Sequence, residues 1–412
     1  MPTHWRKPRV ALVHSATTSS EASTNLAHYF GGCLALAGYS DVKLIRFDAK
    51  PGARPPAAKP LMIVPPGEKA PNVPNARDLF FTAALDEVKD CQVVVVCVDA
   101  PDTAACGKQL AKLLSAKRDD RTGVFCLQHG CKTFAELKGH LGEAPVILVD
   151  GAVGIHVVKS AADGSLGLLA PGSLVLTRLA KDDADEGLKY IDLLQSSGIP
   201  MIFRKIMTPF TWGSLVAYPC DATNALTGDT LQEHLGDWRA RRVCAAMIRE
   251  SCAALSKAAR NGGWVPDTSA TFAGLSAKRL ELVLCLPSFL FVPLSRWLLP
   301  VTPGARSCAQ LDLRERYKTS LDWTLGELVE VGKKYEVPMP VSTHIQGMVR
   351  DAAAKGDGVP MVAIEQIFDS VGPQTREGPR ELGRLGMKIA LAAGTIILAI
   401  SLLDVIAPSS PM

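Results

Sequence analysis

ARSCAQLDLRERYKTSLDWTLGELVEVGKKYEVPMPVSTHIQGMV, residues 305–349, carries the most information about the fold of this 412-residue chain. Its segment Leu311–Tyr335 repeats apolar residues at the spacing of an amphipathic helix. A second amphipathic segment, Leu231–Arg260, ends at Asn261-Gly262-Gly263, a sequence that typically stops a helix. Because the pattern is helical almost throughout after Met207, the sequence predicts an all-α domain in this half of the chain.

The first half of the chain alternates short apolar runs with helical patterns such as Asn25–Ala37 and Thr103–Leu114. The apolar runs are rich in Val and Ile and apolar on both faces, as expected of parallel strands that helices cover. This alternation predicts a Rossmann-like, dinucleotide-binding type of domain. The predicted strands are Val10–Val13, Val42–Ile45, Leu61–Val64, Val93–Val98, Val124–Leu127 and Val146–Val149.

The stretch 305–349 closely resembles the signature of the helical C-terminal domain of the ketopantoate reductase family. Two other stretches, 28–42 and 127–130, resemble the family's glycine-turn helix and its LQNG motif. The resemblance implies a Rossmann-like domain over 1–206 and an all-α domain of the 6-phosphogluconate-dehydrogenase-like C-terminal type over 207–370. The signature positions that remain are Ser307, Asp312, Leu313, Thr319, Asp322, Gly326, Glu327, Val329, Gly332, Val337 and Pro340.

The resemblance also implies that the family's chemical residues are replaced. The catalytic Glu falls on Ser320, and the Asn of an Asn-Gly pair falls on Leu325. The catalytic Lys falls on Gly213 or Ser214, and a phosphate-binding Lys falls on Asp99, which reverses the charge. Reduction of a 2-oxo acid needs a bound cofactor and a stabilised, protonated alkoxide. These replacements therefore predict a pseudoenzyme.

The phosphate-binding turn after the first strand is predicted to be degenerate. Glycines in this turn normally let the backbone bend tightly and approach the pyrophosphate. No glycine stands between Val13 and Phe30. Ser15 and Thr17 are the candidates for binding a phosphate at the helix N-terminus, although such hydroxyls also serve simply as caps in a solvated loop. Arg46 lies near the place where the family has an Arg for the 2′-phosphate.

Two residues remain as candidates for catalysis, His129 and Ser307. His129 replaces the Asn of LQNG, and a His in a cleft can transfer a proton near neutral pH. A purely structural role for His129 is the alternative. Ser307 is retained, and the family's equivalent Ser contacts the carboxylate end of the substrate. Asp221 and Asn224 are candidates to replace the asparagines of the family's catalytic helix.

Composition and charge exclude some classes of function. The formal net charge is only +4, and no basic stripe with interleaved aromatic residues occurs, so nucleic-acid binding is not predicted. The 11 cysteines form no CxxC pair and lie in apolar runs such as CQVVVVCV. This pattern predicts buried thiols in a reducing compartment and no metal site.

The C-terminal segment Ile389–Leu403 has no charged residue. As a helix it spans ~22 Å, short of the ~30 Å hydrocarbon core, but a helix over 386–407 with Lys388 snorkelling is long enough. The sequence therefore predicts that 371–412 forms a basic linker and a single-pass membrane anchor. A buried C-terminal helix at a dimer interface is the alternative.

Three functions follow from these expectations. The first is a catalytically inactive, membrane-anchored accessory subunit of a larger complex, such as a respiratory or ATP-synthase-type assembly of the mitochondrial inner membrane. It would need no cofactor, and its partners would be other subunits and the lipid bilayer. The second is a divergent, membrane-anchored, NADPH-dependent 2-oxo acid reductase. The third is a small-molecule binding protein without turnover. A homodimer is compatible with each of them.

Overall fold

The structure is a computed structural model that describes residues 8–375, with gaps at 16–20, 48–59, 76, 116–120, 161–162, 169–171, 180, 217, 272–273, 300, 302–303 and 318. Strands alternate with helices in the first half of this part, and helices alone follow. The change falls between a last strand, Met201–Arg204, and a helix, Thr208–Leu215. The predicted combination of a Rossmann-like domain and an all-α domain is therefore present.

The strands of the first half form one large sheet and one small one. They are β1 (Val10–His14), β2 (Val42–Arg46), β3 (Leu79–Thr82), β4 (Val93–Val96), β5 (Thr122–Leu127), β6 (Val146–Val153), β7 (Val157–Lys159), β8 (Leu166–Leu168), β9 (Leu174–Thr177) and β10 (Met201–Arg204). The large sheet has the order β10-β9-β6-β5-β4-β1-β2-β3. From β3 to β6 all neighbours are parallel, whereas β9 is antiparallel to β6. The order 3-2-1-4-5-6 within this sheet is that of dinucleotide-binding domains.

One predicted strand is wrong, and five observed strands, β3 and β7 to β10, were not predicted. Leu61–Val64 does not join the large sheet, and its Ile63 makes only isolated bridges, to Asn72 and Leu166. Prolines directly before and after this run lack the N–H groups that a sheet strand must donate. Leu79–Thr82 takes the edge position beside β2 instead. This edge strand is short and partly exposed to solvent, which explains why its sequence is not continuously apolar.

The helices of the first domain cover both faces of the large sheet. They are α1 (Glu21–Leu36), α2 (Thr103–Leu114), α3 (Thr133–Leu141) and α4 (Lys181–Gln195). Helix α1 lies very close to the chain beneath it, because a Cβ at Gly32 would come within 2.5 Å of Ile63 Cγ1. A Cβ at Gly31 would lie 2.9 Å from Leu44 Cδ2. The two glycines therefore set the distance between α1 and the sheet.

The second domain packs its helices around one long central helix. The helices are α5 (Thr208–Leu215), α6 (Pro219–Thr227), α7 (Leu231–Gly236), α8 (Trp238–Gly262), α9 (Ala277–Leu284), α10 (Ser288–Leu298), α11 (Cys308–Arg314), α12 (Leu325–Lys334), α13 (Pro340–Lys355) and α14 (Ile364–Ser370). The central helix, α8, contacts α6, α7, α9, α12, α13 and α14. The predicted single segment Leu231–Arg260 is two helices, since Asp237 caps α8 by accepting the N–H of Arg239 at 2.7 Å.

Within the described residues, no helix has both the length and the apolar character that crossing a bilayer requires. Helix α8 has 25 residues but repeats Arg, Lys and Glu along its length. Helix α10 is apolar, but its 11 residues span only roughly 17 Å. The predicted C-terminal transmembrane helix is therefore wrong as a feature of this structure. Its segment, 386–407, lies outside the described residues.

Candidate functional site

The first feature of the site is a contact between the two domains made by His129 and Tyr218. The Tyr218 hydroxyl, just before α6, is hydrogen-bonded to Nδ1 of His129, just after β5. Their ring centroids lie 5.2 Å apart in an edge-to-face arrangement. The ring of His156, which follows β6, lies 5.5 Å from the Tyr218 ring. Since α/β sheets bind ligands beyond the carboxyl ends of their strands, the three rings lie at the end of the sheet where a ligand is expected.

Burial keeps this cluster of three rings uncharged. Desolvation, with a smaller contribution from His156, lowers the pKa of His129 to about 3. Desolvation also lowers the pKa of His156 to about 4. Burial raises the pKa of Tyr218 well above its usual value, and the nearby Asp221 and Cys308 add to the shift. All three rings are therefore neutral near pH 7, and the tautomer of His129 determines which atom of the pair donates.

Asp221 lies on the first turn of α6, beside Tyr218. Its backbone N–H donates to the Tyr218 carbonyl at 3.0 Å. Desolvation is the main reason that the pKa of Asp221 is raised to about 7. The carboxyl group is therefore partly protonated near neutral pH, which distinguishes it from an ordinary surface Asp.

Ser307 and Asn224, two of the residues singled out in the sequence, are bonded to each other. The Ser307 N–H donates to Asn224 Oδ1 at 3.0 Å, and the Ser307 hydroxyl donates to the Asp221 carbonyl at 3.1 Å. Ser307 also caps α11, because its Oγ accepts the N–H of Gln310 at 3.2 Å. Both residues are buried, and the two hydrogen bonds of Ser307 connect the start of α11 to α6.

The positions on which the family's catalytic residues fall carry no replacement group. A Cβ at Gly213 would collide with the Asp267 carbonyl, so no side chain fits there. The Ser214 hydroxyl is buried and donates to a carbonyl of its own helix. Leu325 is fully buried, and Ser320 is half-buried before α12. A lysine could therefore not replace Gly213 without moving the backbone of Asp267.

The end of β1 brings the Ser15 hydroxyl together with the Asp102 carboxylate and the backbone of Asp99. Ser15 Oγ donates to Asp102 Oδ2 at 2.5 Å and accepts the backbone N–H of Asp99 at 3.3 Å. Ser15 and Asp99 are buried. Of the residues predicted to bind a phosphate here, Ser15 is thus engaged with Asp102. Thr17 lies outside the described residues.

Arg46, the third predicted cofactor residue, ends β2 opposite His14 in the parallel register. Its Nε is buried and has no hydrogen-bond partner in the part of the chain that the structure describes. A buried guanidinium N–H without an acceptor is unfavourable, and a phosphate or carboxylate oxygen is the acceptor that it matches. Arg46 therefore indicates an anion at this end of the cleft.

Tyr218 and His156 were missed in the sequence. For Tyr218 the signal is the spacing W-x-K-L-x-x-N of the family's catalytic helix, which from Trp212 places the first Asn at position 218. The Tyr–His contact thus joins two positions at which the resemblance expects Asn. For His156 the sequence has no local signal, because its contact with Tyr218 depends on how the two domains pack.

The comparisons with known proteins agree with this architecture. Residues 211–353 match the family described as ketopantoate reductase PanE/ApbA C terminal. No curated protein sequence matches the chain. A PanE/ApbA family ketopantoate reductase from Ralstonia eutropha JMP134 superposes with a TM-score of 0.57 at 18% identity, over 84% of this chain and 99% of that chain. These identities are low enough to support the fold alone.

Two further solved structures have the same fold. D-mandelate dehydrogenase, in a ternary structure with NADH and anilino(oxo)acetate, has a TM-score of 0.57 and 17% identity over 85% of this chain and 99% of its own. The 2-dehydropantoate 2-reductase of Geobacter metallireducens GS-15 has a TM-score of 0.57 and 13% identity over 83% of this chain and 99% of its own. The expectation that no cofactor is needed is not confirmed by these relatives.

These findings correct the function predicted from the sequence. The predicted membrane-anchored, inactive accessory subunit of the mitochondrial inner membrane is wrong, because the relatives are reductases and a dehydrogenase and the described residues hold no membrane-spanning helix. The predicted family resemblance is confirmed, whereas the loss of activity stays a prediction. Residues 211–353 match the C-terminal domain of the ketopantoate reductase PanE/ApbA family, and the chain has the fold that the compared reductases share.

Proposed function

We propose that the protein is an NADPH-dependent reductase of small carbonyl compounds in which Tyr218 and His129 supply the proton. The single observation that carries the proposal is the hydrogen-bonded Tyr218–His129 pair in the cleft between the sheet and the helical domain. A hydroxyl that a second group can reprotonate is the minimum that carbonyl reduction requires of the protein. The family's own Lys and Glu are absent, so this pair would take over their role.

The residues around β2 fit the phosphate end of NADPH. Arg46 has a buried Nε without an acceptor, and it ends the strand beside β1, where dinucleotide-binding domains hold the adenosine ribose. Gly31 and Gly32 keep α1 close to the sheet, as in such domains. Asp99 follows β4, and Asp102 directly precedes α2, so the neighbouring turn carries two carboxyl groups. Arg46 is therefore the residue most suited to retain the cofactor.

The protein's part in the reaction is proton transfer at Tyr218. Bound NADPH supplies the hydride. If the His129 ring carries its proton on Nδ1, it donates to the Tyr218 oxygen, and the Tyr218 hydroxyl proton is free to bond to a substrate carbonyl. The phenol is a weak acid in this buried place, yet an alkoxide is a much stronger base, so transfer of the proton is favourable. His129 then passes its Nδ1 proton to the phenolate while its Nε2 takes up a proton from water, so the ring stays neutral.

Binding and turnover by the full chain test the proposal in two steps. NADPH and NADH affinities are measured by calorimetry for the wild type, Arg46→Gln and a matched control, Arg204→Gln. Arg204 also ends a strand of the large sheet, but it is exposed and at the far edge. We expect Arg46→Gln to weaken NADPH binding ~10-fold or more and to leave NADH binding nearly unchanged, because only NADPH has the 2′-phosphate.

Turnover is then followed as loss of NADPH absorbance with a panel of small ketones and 2-oxo acids. Reduction that is lost in Tyr218→Phe supports the proposal. Failure of the wild type to bind NADPH, or to reduce any member of the panel, would refute it. Equal loss of NADPH and NADH affinity in Arg46→Gln would show that Arg46 does not contact the 2′-phosphate.

A further inference from the structure

We propose that the cleft accepts an uncharged carbonyl compound and discriminates against a 2-oxo acid with a free carboxylate. The inference rests on the proposed function, because it names the substrate class of the same site. It is carried by one juxtaposition. Ser307, which the resemblance assigns to the substrate carboxylate, uses both of its donors inside the protein, and Asp221 lies beside the neighbouring Tyr218–His129 pair.

Ser307 has no donor left for a ligand. A Ser residue has two donors, the backbone N–H and the hydroxyl. The N–H donates to Asn224 Oδ1 at 3.0 Å, and the hydroxyl donates to the Asp221 carbonyl at 3.1 Å. The side chain is only 2% exposed. Receiving a carboxylate would require Ser307 to break the contact that joins α6 to α11.

The described cations closest in sequence to the site residues are engaged elsewhere. Arg306 precedes Ser307, and its guanidinium donates to the Gly228 carbonyl and to Gln310 Oε1. Lys132 lies three residues after His129, but it is exposed and paired with Glu330 at 2.8 Å. Both cations are therefore already paired with other groups of the protein. Position 213, one of the two on which the family's Lys falls, has no room for any side chain.

The charges that do face the ring pair oppose an anion. His129 and His156 are held neutral by burial, so neither provides a positive charge at pH 7. Asp221 is close enough to Tyr218 to affect its ionisation, and it is partly ionised at neutral pH. A substrate carboxylate that bound here would lose its hydration and would face neutral rings and a partly ionised carboxyl group. Binding of such an anion is therefore strongly unfavourable. A ketone, ester or amide oxygen would need only the Tyr218 hydroxyl.

A matched pair of substrates tests this inference directly. Pyruvate and methyl pyruvate present the same keto group and differ mainly in the charge of the neighbouring group. We expect the full chain with NADPH to show a kcat/KM for methyl pyruvate ~100-fold above that for pyruvate, since burial of an unpaired carboxylate is the difference. Equal values, or a preference for pyruvate, would overturn the inference while leaving the proposed reductase function intact.

A variant checks the physical cause of the preference. Asp221→Asn removes the carboxyl charge and keeps the shape, so we expect the methyl pyruvate to pyruvate ratio of kcat/KM to fall ~10-fold. Glu330→Gln removes a carboxylate at the exposed Lys132 pair and should leave the ratio unchanged. A ratio that Asp221→Asn does not move, in a protein with a native circular dichroism spectrum, would contradict the assigned cause.

The absence of any turnover would refute the proposed function and would leave the inference testable. In that event the Tm of the NADPH-saturated protein is measured with each compound, because a ligand that binds the folded state raises it. Stabilisation by methyl pyruvate but not by pyruvate would support an uncharged ligand. Stabilisation by pyruvate, or by neither compound, would overturn the inference.

Discussion

Glu327 and Cys131 connect the two domains beside the candidate site: the Glu327 carboxylate accepts the backbone N–H of Cys131 at 2.8 Å, across 196 residues of sequence. Glu327 is 3% exposed and lies on the first turn of α12. His129 is two residues before Cys131, so the hydrogen bond positions the loop that carries it. Glu327 is also one of the retained signature positions. Its hydrogen bond to Cys131 gives a structural reason for a glutamate at this position.

Removing this connection should destabilise the protein. We expect Glu327→Ala to lower the free energy of unfolding by about 2 kcal/mol, because a buried N–H loses its charged acceptor. The exposed neighbour Glu330, paired with Lys132, is the control, and Glu330→Ala should change stability by less than about 1 kcal/mol. Urea denaturation followed by circular dichroism measures both. Equal effects would mean that Glu327 does not hold the domains together.

Tyr218→Phe should separate catalysis from folding. The change removes only the hydroxyl that is bonded to His129, so we expect kcat to fall ~100-fold while NADPH affinity is unchanged. Stability should change by about 1 kcal/mol or less, since a single hydrogen bond is lost. Steady-state kinetics and calorimetry on the same preparation measure these quantities. A variant with wild-type kcat would exclude Tyr218 as the proton donor.

Ser307→Ala should affect stability more than substrate choice. The variant loses the cap of α11 and the bond to the Asp221 carbonyl, so we expect the free energy of unfolding to fall by about 1–2 kcal/mol. The methyl pyruvate to pyruvate ratio of kcat/KM should stay the same. If instead pyruvate reduction alone were lost, Ser307 would be contacting the substrate carboxylate, contrary to the contacts seen in the structure.

Gly213 should tolerate no side chain. Gly213→Ala places a Cβ against the Asp267 carbonyl, and we expect it to lower the free energy of unfolding by about 2 kcal/mol. Gly347, inside α13, has open space around its Cβ position, so Gly347→Ala should raise stability by about 0.5–1 kcal/mol through helix propensity. Thermal unfolding of the two variants gives opposite shifts in Tm if this explanation is correct.

His28 should make the protein sensitive to acid. Burial, with smaller contributions from His14 and Lys159, lowers the pKa of His28 from 6.5 to about 3. Between these values the unfolded chain binds a proton that the folded chain does not, so this contribution to stability is complete above pH 6.5 and decreases as the pH falls towards 3. Between neutral pH and pH 4 we expect the free energy of unfolding to fall less in His28→Gln than in the wild type, by roughly 3 kcal/mol.

The measurement for His28 is urea denaturation at a series of pH values. His344→Gln, at an exposed position on α13, is the control and should follow the wild-type curve. Parallel curves for the wild type and His28→Gln would contradict the prediction. Buried carboxyl groups with raised pKa values, such as Asp150 and Asp221, stabilise the folded state as the pH falls, which is the opposite of the effect of His28. The difference between the variant and the wild type isolates the effect of His28 because these carboxyl groups are present in both.

Sequence patterns predicted the central strands better than the edges. The runs at Val10–Val13, Val93–Val98 and Val124–Leu127 are buried on both faces, and burial is what gives a strand its continuous apolar sequence. The edge strand Leu79–Thr82 has partly exposed residues and was missed. Leu61–Val64 is apolar enough for a strand, but its flanking prolines keep it out of the sheet.

The candidate site was predicted in part. His129 was identified because it replaces one residue of a recognisable motif. Tyr218 and His156 were not, and the significance of Asp221 became clear only from its surroundings. Ser307 was predicted as a candidate for catalysis and Asn224 as a replacement for an asparagine of the family's catalytic helix, and the structure adds that the two are bonded to each other. A homodimer through the helical domain stays a prediction.

The amino-acid sequence by itself determined the class of each domain, because burial imposes apolar periodicities that are local and can be read along the chain. It also indicated the family resemblance, through the glycines, prolines and polar caps of 305–349, which local geometry requires. Only the tertiary structure decided which polar groups meet. Tyr218 and His129 are 89 residues apart, and their contact, their burial and their lack of charge all depend on how the two domains pack against each other.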